Sequence, residues 1–269
     1  MRNRPVRYLS SAVAGHRCRE ELGGLHGYVM FVGHPRSGHS LVGALLDAHP
    51  DIVVAHELDA LGYLDLGFRR NQIVAMLLDR SRRDAARGRT EGRYGYAVDG
   101  QWQGRWRRLA VVGDKKGAQS TRRLSADPGL LDRLATEMRV PVTVIQVVRN
   151  PYDNIATIWR RDKRSIDQHI DAYFAMWDTT EAVRRRCAPE RFLRLHHEDL
   201  VADPRAELSR LCGALAVGPT DEYLDACASI VFPTPRRTAG DAPWTPAQLD
   251  RVAERAATLD ALAGYGPDL

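Results

Sequence analysis

Lysine is scarce in this chain, and its cysteines have no metal-binding spacing. The 39 Lys and Arg residues include lysine only at Lys115, Lys116 and Lys163, so the adjacent pair is a candidate for a specific role. The 4 cysteines form no C-x-x-C pair, which excludes the usual zinc sites and predicts free thiols in a reducing compartment. We therefore expect a cytoplasmic protein.

Long apolar runs are missing as well. No stretch of about 20 apolar residues is present, which excludes a membrane-spanning helix and argues against stable membrane insertion. Residues 1–27 contain several arginines but no apolar core of the length found in secretion signals. We expect these residues to form a basic N-terminal arm.

The remaining composition is that of an ordinary soluble protein. Of the 269 residues, 44% are apolar and 27% charged, and we predict a single domain over residues 1–269. The net charge of +5 fits an anionic ligand. It is weak support for nucleic-acid binding, which needs a clustered basic patch.

The stretch from Tyr28 to Glu57 is the most informative part of the chain. An apolar run at 28–32 predicts a buried strand, residues 33–40 read GHPRSGHS, and leucines with helical spacing follow. A strand, a glycine-containing loop and a helix in this order direct backbone N–H groups and a helix N-terminus at an anion. The alternative is an ordinary tight turn between a strand and a helix.

The loop resembles a P-loop with one important difference. Gly33, Gly38 and Ser40 fit the pattern G-x-x-x-x-G-K-[ST], but His39 stands where the lysine belongs. Arg36 is the substitute cation, because its planar guanidinium suits a pair of phosphate or sulfate oxygens.

Further strands alternate with helical patterns, which predicts a parallel α/β sheet. Apolar strand patterns occur near 51–57, 109–117, 142–148 and 191–200. The first of these ends in His56 and Glu57, which we expect at the carboxyl edge of the sheet, beside the loop. Ligands bind at this edge in open α/β sheets.

The strand at 142–148 is followed by a second cationic segment. A nucleotide triphosphatase usually has an acid there to hold Mg²⁺, but this chain has Arg149, followed by a helix that carries Thr157. Two cationic sites without a metal-binding acid favour a ligand with two separate phosphate groups. The alternative for Arg149 is a salt bridge at the end of the strand.

One long loop is also present. Residues 88–108 combine Gly, Arg and aromatic residues without a period, which is typical of a binding loop or lid. We expect this segment on the acceptor side of the site, with Tyr94, Tyr96, Trp102 and Trp106 as apolar surfaces and Arg93, Arg105 and Arg107 as charges. The alternatives are a loop that its aromatics only attach to the core, and a surface for single-stranded nucleic acid.

In this order, the motifs resemble those of sulfotransferases that use 3′-phosphoadenosine-5′-phosphosulfate (PAPS). FVGHPRSGHSLVGALLDAHPD is similar to the 5′-phosphosulfate loop, most closely in protein-tyrosine sulfotransferases and many bacterial members. VVRNPYDNIATIW resembles the 3′-phosphate segment, and RLHHEDLVADPRAELSRLCGAL resembles the strand and helix with a Tyr-Glu-Asp-Leu signature. The resemblance implies a P-loop-like three-layer fold with a central parallel sheet flanked by helices.

The resemblance also implies roles for individual residues. The 5′-phosphosulfate would be held by Pro35, Arg36, Ser37, Gly38, His39 and Ser40. The 3′-phosphate would be held by Arg149 and Thr157, with His197 near the adenine and with Arg236 and Arg237 on a loop that closes over the cofactor. The catalytic group would consist of Glu57 or His56 as the base, Lys115 or Lys116 beside the transferred group, and Arg36.

The expected reaction is in-line transfer of a sulfuryl group to a hydroxyl, which needs a base and no metal. The acceptor is a small molecule, a sugar or a lipid that the sequence does not identify, and no nucleic acid is expected. The alternative enzyme is a metal-dependent P-loop kinase for a nucleotide or small molecule. The absent loop lysine and Arg149 in place of an acid argue against this kinase.

Overall fold

The computed structural model describes residues 4–91, 94–162 and 164–267. Its centre is a five-stranded, all-parallel sheet with the strand order β2-β5-β1-β6-β7, and β3 and β4 form a separate antiparallel pair. The strands are β1 (Gly27–Val32), β2 (Ile52–His56), β3 (Thr90–Glu91), β4 (Tyr94–Gly95), β5 (Val111–Lys115), β6 (Val142–Val148) and β7 (Phe192–His196).

Helices connect the strands and cover both faces of the sheet. The helices are α1 (Arg4–Arg17), α2 (His39–Asp47), α3 (Ala60–Asp65), α4 (Arg70–Ala86), α5 (Gly117–Ala126), α6 (Leu130–Met138), α7 (Pro151–Trp159), α8 (Ile166–Arg186), α9 (His197–Ala202), α10 (Pro204–Ala214), α11 (Asp221–Ser229) and α12 (Pro246–Ala257). Among the helices in the described ranges, none is both long enough and apolar enough to cross a membrane.

Alternate side chains of β1 pack against different helical layers. Tyr28, Met30 and Val32 lie in a cluster with buried residues of α3, α4 and α6, whereas Val29 and Phe31 lie in a cluster with α2, α10 and α11. Because each fully buried large apolar side chain contributes about 1.5–3 kcal/mol, both layers stabilise the sheet. The predicted three-layer α/β fold is confirmed.

The basic N-terminal segment is largely helical. Helix α1 packs against α4, where Gln72 donates hydrogen bonds to Tyr8 O at 3.0 Å and Ser11 Oγ at 3.1 Å. A Cβ atom at Gly15 would lie 2.8 Å from the carbonyl of Asn71, so only glycine permits this close approach. The arrangement depends on contacts with residues distant in sequence, which the local pattern of residues 1–27 does not reveal.

The region after β5 contains two helices. Helix α5 ends at Ala126, and helix α6 begins at Leu130. Asp127 lies directly after α5, and its Oδ1 accepts a hydrogen bond from the N–H of Gly129 at 2.9 Å. The Asp-Pro pair therefore forms the turn between two helices instead of starting one.

A buried polar cluster lies at the end of α2. Asp47 accepts hydrogen bonds from Val54 N at 2.6 Å, Ser81 Oγ at 2.9 Å and Gly104 N at 3.2 Å, and it also pairs with the buried Arg89. Burial raises the pKa of Asp47 to about 6, although Arg89 opposes the shift. This cluster attaches the start and the middle of the 88–108 segment to α2, β2 and α4.

Candidate active site

The carboxyl edge of the sheet brings the two cationic segments of the chain together. His56 is the register partner of Lys115, and Val148, which precedes Arg149, is the partner of His196. The loop between β1 and α2 lies between these pairs because β1 is the middle strand. Five strand ends therefore supply the residues of one site.

The loop 33–38 combines three residues of positive φ with the N-terminus of a helix. Gly33, Arg36 and Gly38 have φ angles of 111°, 68° and 108°, and Gly38 lies directly before α2. The first N–H groups of a helix lack intrahelical partners and carry a partial positive charge, so they attract an anion. Gly33 N donates to Thr121 Oγ1 at 2.8 Å and Asn154 Nδ2 to Pro35 O at 3.0 Å, which fixes the loop from both sides.

His39 places its ring beneath this loop, where Ser37 Oγ lies 3.4 Å from its Nε2. The ring is buried, and its Nε2 lies 3.0 Å from the carbonyl oxygen of Val32, for which it is the natural donor. Burial, followed by the charge of Lys115, lowers the pKa of His39 to about 3, so the ring is neutral. The ring is thus engaged within the protein, and the predicted contact of His39 with a phosphosulfate stays a prediction, for which its backbone N–H is the better placed donor.

Gly117 explains why this ring fits. A Cβ atom at Gly117 would lie 2.5 Å from the ring of His39. We expect Gly117→Ala to lower the free energy of unfolding by about 1–3 kcal/mol, the usual effect of overpacking. Urea unfolding measures the change.

The matched control is Gly213→Ala, since Gly213 lies within α10 and a Cβ atom there would have no neighbouring atom within 4 Å. Alanine there should stabilise by about 0.5–1 kcal/mol through helix propensity. Equal stability changes in the two variants would contradict the role assigned to Gly117.

Glu57 lies between two lysines. Lys115 Nζ donates to Glu57 Oε1 and Lys116 Nζ to Glu57 Oε2, each at 3.0 Å. Burial would raise the pKa of Glu57, but the charges and hydrogen bonds of Lys115 and Lys116 outweigh it and lower the pKa to about 2. Lys115 Nζ also donates to Ser40 Oγ at 2.9 Å, so Lys115 connects the carboxylate to the loop.

The turn that carries Glu57 is fixed by a residue that the sequence did not reveal. Glu57 has a φ of 59°, which is unusual for a residue other than glycine. The buried carboxylate of Asp114 accepts hydrogen bonds from Leu58 N at 2.9 Å and Ala60 N at 2.7 Å, and Glu57 N donates to Lys115 O at 3.1 Å. The only sequence signal for this role is a charged residue inside an apolar strand.

His56 occupies the last position of β2, directly before Glu57. Its carbonyl oxygen accepts a hydrogen bond from Arg80 Nε at 2.9 Å, which attaches the end of the strand to α4. Glu57 rather than His56 forms the described hydrogen bonds with both lysines. This geometry favours Glu57 as the candidate base.

The second cationic segment surrounds Arg149. Its Nη1 donates to Arg36 O at 3.2 Å and Thr157 Oγ1 at 3.3 Å, and its Nη2 contacts Arg236 O and Thr238 Oγ1. Arg149 therefore joins the first loop, α7 and the loop before α12. The sequence analysis did not identify Thr238, whose hydroxyl contacts Arg149.

Among the described residues, the buried polar atoms of this region that have no hydrogen-bond partner include Nε of Arg149 and Nδ1 of His197. A Cβ atom at Gly38 would lie 2.9 Å from this His197 nitrogen, which therefore lies directly beside the loop. Since buried polar groups are nearly always hydrogen-bonded, an anionic nucleotide with phosphate and base acceptors fits this place.

The remaining predicted cofactor residues lie on the loop before α12. Arg236 and Arg237 are both exposed, and Arg236 Nη1 donates to Tyr94 Oη at 3.0 Å. The start of α7 is held by Glu198, which accepts hydrogen bonds from Asn150 N at 3.1 Å and Tyr265 Oη at 2.6 Å. The His-Glu segment of the last strand motif thus supports the turn that carries Arg149.

The 88–108 segment does not take the predicted position. Trp102 N donates to Ala48 O at 3.1 Å and Arg107 N to Pro50 O at 2.8 Å, which places these residues at the amino ends of β2 and β5, opposite Glu57. Trp106 packs against the core beneath Arg82. This position favours the alternative, a loop attached to the core, over the acceptor role predicted for the two tryptophans.

Tyr94 takes a different position from the tryptophans. Its hydroxyl accepts the hydrogen bond of Arg236, a predicted cofactor residue, so the tip of the segment adjoins the cofactor side. Tyr96 packs beside Tyr94 with ring centroids 6.3 Å apart. Arg93, which was predicted to add charge here, lies outside the described residues.

Taken together, the fold and the site define a P-loop-like α/β protein with two cationic segments and a carboxylate-lysine cluster on one edge of its sheet. Residues 141–221 match the model of the sulfotransferase family. This match covers 81 of the 269 residues and agrees with the family that the motifs predict. A search of curated proteins gave no significant match.

Solved structures with the same fold are sulfotransferases of low sequence identity. The sulfotransferase domain of the Synechococcus PCC 7002 olefin synthase has a TM-score of 0.53 and 18% identity, and the match covers 87% of this chain and 94% of that domain. The sulfotransferase domain from the curacin biosynthetic pathway has a TM-score of 0.53 and 16% identity, with 87% and 98% covered. Sulfotransferase STF9 from Mycobacterium avium has a TM-score of 0.52 and 14% identity, with 93% and 81% covered. At these identities the likeness shows the fold.

Proposed function

We propose that this chain transfers a sulfuryl group from PAPS to a hydroxyl group of an acceptor. The observation that carries the proposal is the hydrogen-bonded cluster of Glu57, Lys115 and Ser40, which joins a candidate base to the phosphate loop. A base beside the loop is what a transfer to a hydroxyl needs, since the hydroxyl must lose its proton.

The two anion sites divide the nucleotide between them. The loop from Pro35 to Ser40 and the start of α2 would hold the 5′-phosphosulfate through backbone N–H groups, Arg36 and the two serine hydroxyls. Arg149 and Thr157 would hold the 3′-phosphate, with His197, Arg236 and Arg237 around the rest of the nucleotide. The unpartnered Nε of Arg149 and Nδ1 of His197 support this assignment.

The chemistry then follows from the residues. Glu57 accepts the proton of the acceptor hydroxyl while the oxygen forms a bond to sulfur. The bond between sulfur and the bridging phosphate oxygen breaks, and its electron pair remains on that oxygen. Lys115, Arg36 and the N–H groups of α2 stabilise the charge that develops there, because these groups are already positioned before the reaction.

Lys115 connects cofactor binding to the strength of the base. As long as both lysines contact Glu57, its pKa of about 2 makes it a weak base. A phosphosulfate beside Ser40 competes for Lys115, so the pKa of Glu57 should rise towards that of an ordinary glutamate. The carboxylate would then accept a proton more readily.

Binding of the product nucleotide 3′-phosphoadenosine-5′-phosphate (PAP) without metal tests the proposal. At a hundredfold excess over Kd, PAP should stabilise the native state by about 2.7 kcal/mol. Thermal unfolding in EDTA measures the shift, and transfer from labelled PAPS to phenols, sugars and lipids then tests the reaction.

ATP with Mg²⁺ is the control ligand. The alternative, a metal-dependent kinase, requires a melting shift with ATP and Mg²⁺ and none with PAP. That result would contradict the proposed function. Arg149, at the position where a kinase of this type would carry a metal-binding acid, makes this outcome unexpected.

The location and the acceptor class are also proposals. The four free thiols, of which Cys18, Cys212 and Cys227 are buried, favour a reducing compartment and hence the cytoplasm. The acceptor is proposed to be a hydroxyl-bearing small molecule, sugar or lipid, because Glu57 is exposed enough to meet a hydroxyl.

A further inference from the structure

A large cavity adjoins the candidate base on the side away from the cofactor loops. Its volume is about 680 Å³, and Glu57 is one of its lining residues. One wall is α1 from Arg7 to Arg17, followed by Cys18, and the opposite wall is α4 from Ala75 to Arg83. Leu58 and Tyr63, which follow β2, line the end next to Glu57.

The size of this cavity is informative. Pockets for ligands of drug size have volumes of about 300–1,000 Å³. A simple phenol would leave most of the cavity empty, whereas an acceptor with several rings or a long chain would fill it. A hydroxyl placed at Glu57 therefore leaves room for a large body between the two helices.

The walls combine apolar surface with positive charge. Apolar side chains include Val13 and Ala14 of α1 and Met76 of α4, and Val13 is 53% exposed although it lines the cavity. Five arginines line the cavity, against three acidic residues, one of which is Glu57 itself. The arginines are Arg7, Arg17, Arg80, Arg82 and Arg83, and the other acids are Glu21 and Asp79.

Part of this charge is already balanced. Asp79 pairs with Arg83, and Arg80 pairs with Asp84 at 2.9 Å, whereas Arg82 lies over the ring of Trp106. Arg17 comes from the last turn of α1. Arg7 contacts Tyr63 at the Glu57 end of the cavity, so Arg17, at the other end of α1, is the cation that an acidic group away from Glu57 would meet.

We propose that this cavity is the acceptor site, and that it takes an amphipathic hydroxyl compound that carries an acidic group. The hydroxyl would meet Glu57, the apolar body would lie between Ala14 and Met76, and the acidic group would meet Arg17. The proposal rests on the proposed function and specifies its acceptor. Helix α1 carries none of the residues to which the motifs assign a role.

Filling the cavity from α1 tests its role. Ala14→Trp places a large ring in the cavity from an exposed position, and Ala12→Trp places the same ring on an exposed position of α1 that does not line it. With 8-hydroxyoctanoate as acceptor, Ala14→Trp should raise KM at least tenfold, and Ala12→Trp should leave it unchanged. Equal KM values in the two variants would overturn the assignment of the cavity.

Reversing a charge tests the acceptor class. Transfer from labelled PAPS is measured with two acceptors, 8-hydroxyoctanoate and 1-octanol. Both have a terminal hydroxyl on an eight-carbon chain, but only the first carries a carboxylate. The native chain should prefer the hydroxy acid about tenfold in kcat/KM, and Arg17→Glu should abolish the preference. Arg19→Glu, on an exposed residue that does not line the cavity, is the control. Equal or better transfer to 1-octanol by the native chain, or transfer to neither compound, would overturn the acidic-acceptor assignment.

The melting shift with PAP separates this inference from the proposed function. A normal PAP shift in Ala14→Trp and Arg17→Glu is expected, because neither residue lies at the phosphate loop. Absence of a PAP shift in the native chain would reject the proposed function itself. A PAP shift that is lost only in these variants would place the cavity on the nucleotide side and reject it as the acceptor site.

Discussion

Glu57→Gln should lower kcat by about 10²–10⁴-fold, the usual contribution of a general base. The amide keeps the size of the side chain but cannot accept the proton of the acceptor hydroxyl. It also removes the negative charge between Lys115 and Lys116, so PAP should bind at least as tightly as it does to the native chain. Single-turnover transfer from labelled PAPS and the PAP melting shift measure the two effects.

Two further variants are measured beside Glu57→Gln: a control outside the site, and a substitution of the other candidate base, His56. Glu20→Gln changes an exposed carboxylate outside the site and should leave transfer unchanged. His56→Asn tests the other candidate base. A large loss of kcat in His56→Asn together with retained transfer in Glu57→Gln would assign the base to His56 instead.

Arg149→Ala should reduce the affinity for PAP by about 10- to 100-fold, since a charge-assisted hydrogen bond contributes about 1.5–3 kcal/mol. The side chain also holds the backbone of Arg36 and Arg236, so part of the loss will extend to any nucleotide. The decisive quantity is therefore the ratio of the affinities for PAP and for AMP, which lacks the 3′-phosphate. Calorimetry on both nucleotides should show that this ratio falls.

Arg161→Ala is the matched control, because Arg161 is exposed just beyond the end of α7. It should change neither affinity. An unaltered ratio of PAP to AMP affinity in Arg149→Ala, with both affinities reduced, would show that Arg149 only holds the loops together. The 3′-phosphate would then have to bind elsewhere.

The sequence predicted those parts of the molecule that depend on local pattern. The strand before Gly33, the glycine positions of the loop and the pairing of Arg149 with Thr157 follow from spacing along the chain, and the structure has them in the predicted order. Parallel strands require that such loops meet at one edge. The edge of the sheet and its cationic segments could therefore be predicted.

Other parts depend on contacts between distant segments. The ring of His39 enters the core because Gly117, on another helix, leaves space for it. The contact of Lys115 with Ser40 depends on the pairing of β5 with its neighbours. The tryptophans of the 88–108 segment have the composition of a binding loop, and only their backbone contacts with Ala48 and Pro50 show that they lie at the other edge.

The separation between the two edges of the sheet has a consequence for how substitutions combine. The buried pair of Asp47 and Arg89 lies with α2 and the first half of β2, whereas Glu57 and Arg149 follow the carboxyl ends of their strands. Energetic effects usually add when two sites are more than about 7–10 Å apart and share no partners. Losses in folding free energy at Asp47 and losses in catalysis at Glu57 should thus be independent, so that the chain can accumulate changes at one edge without altering the effect of changes at the other.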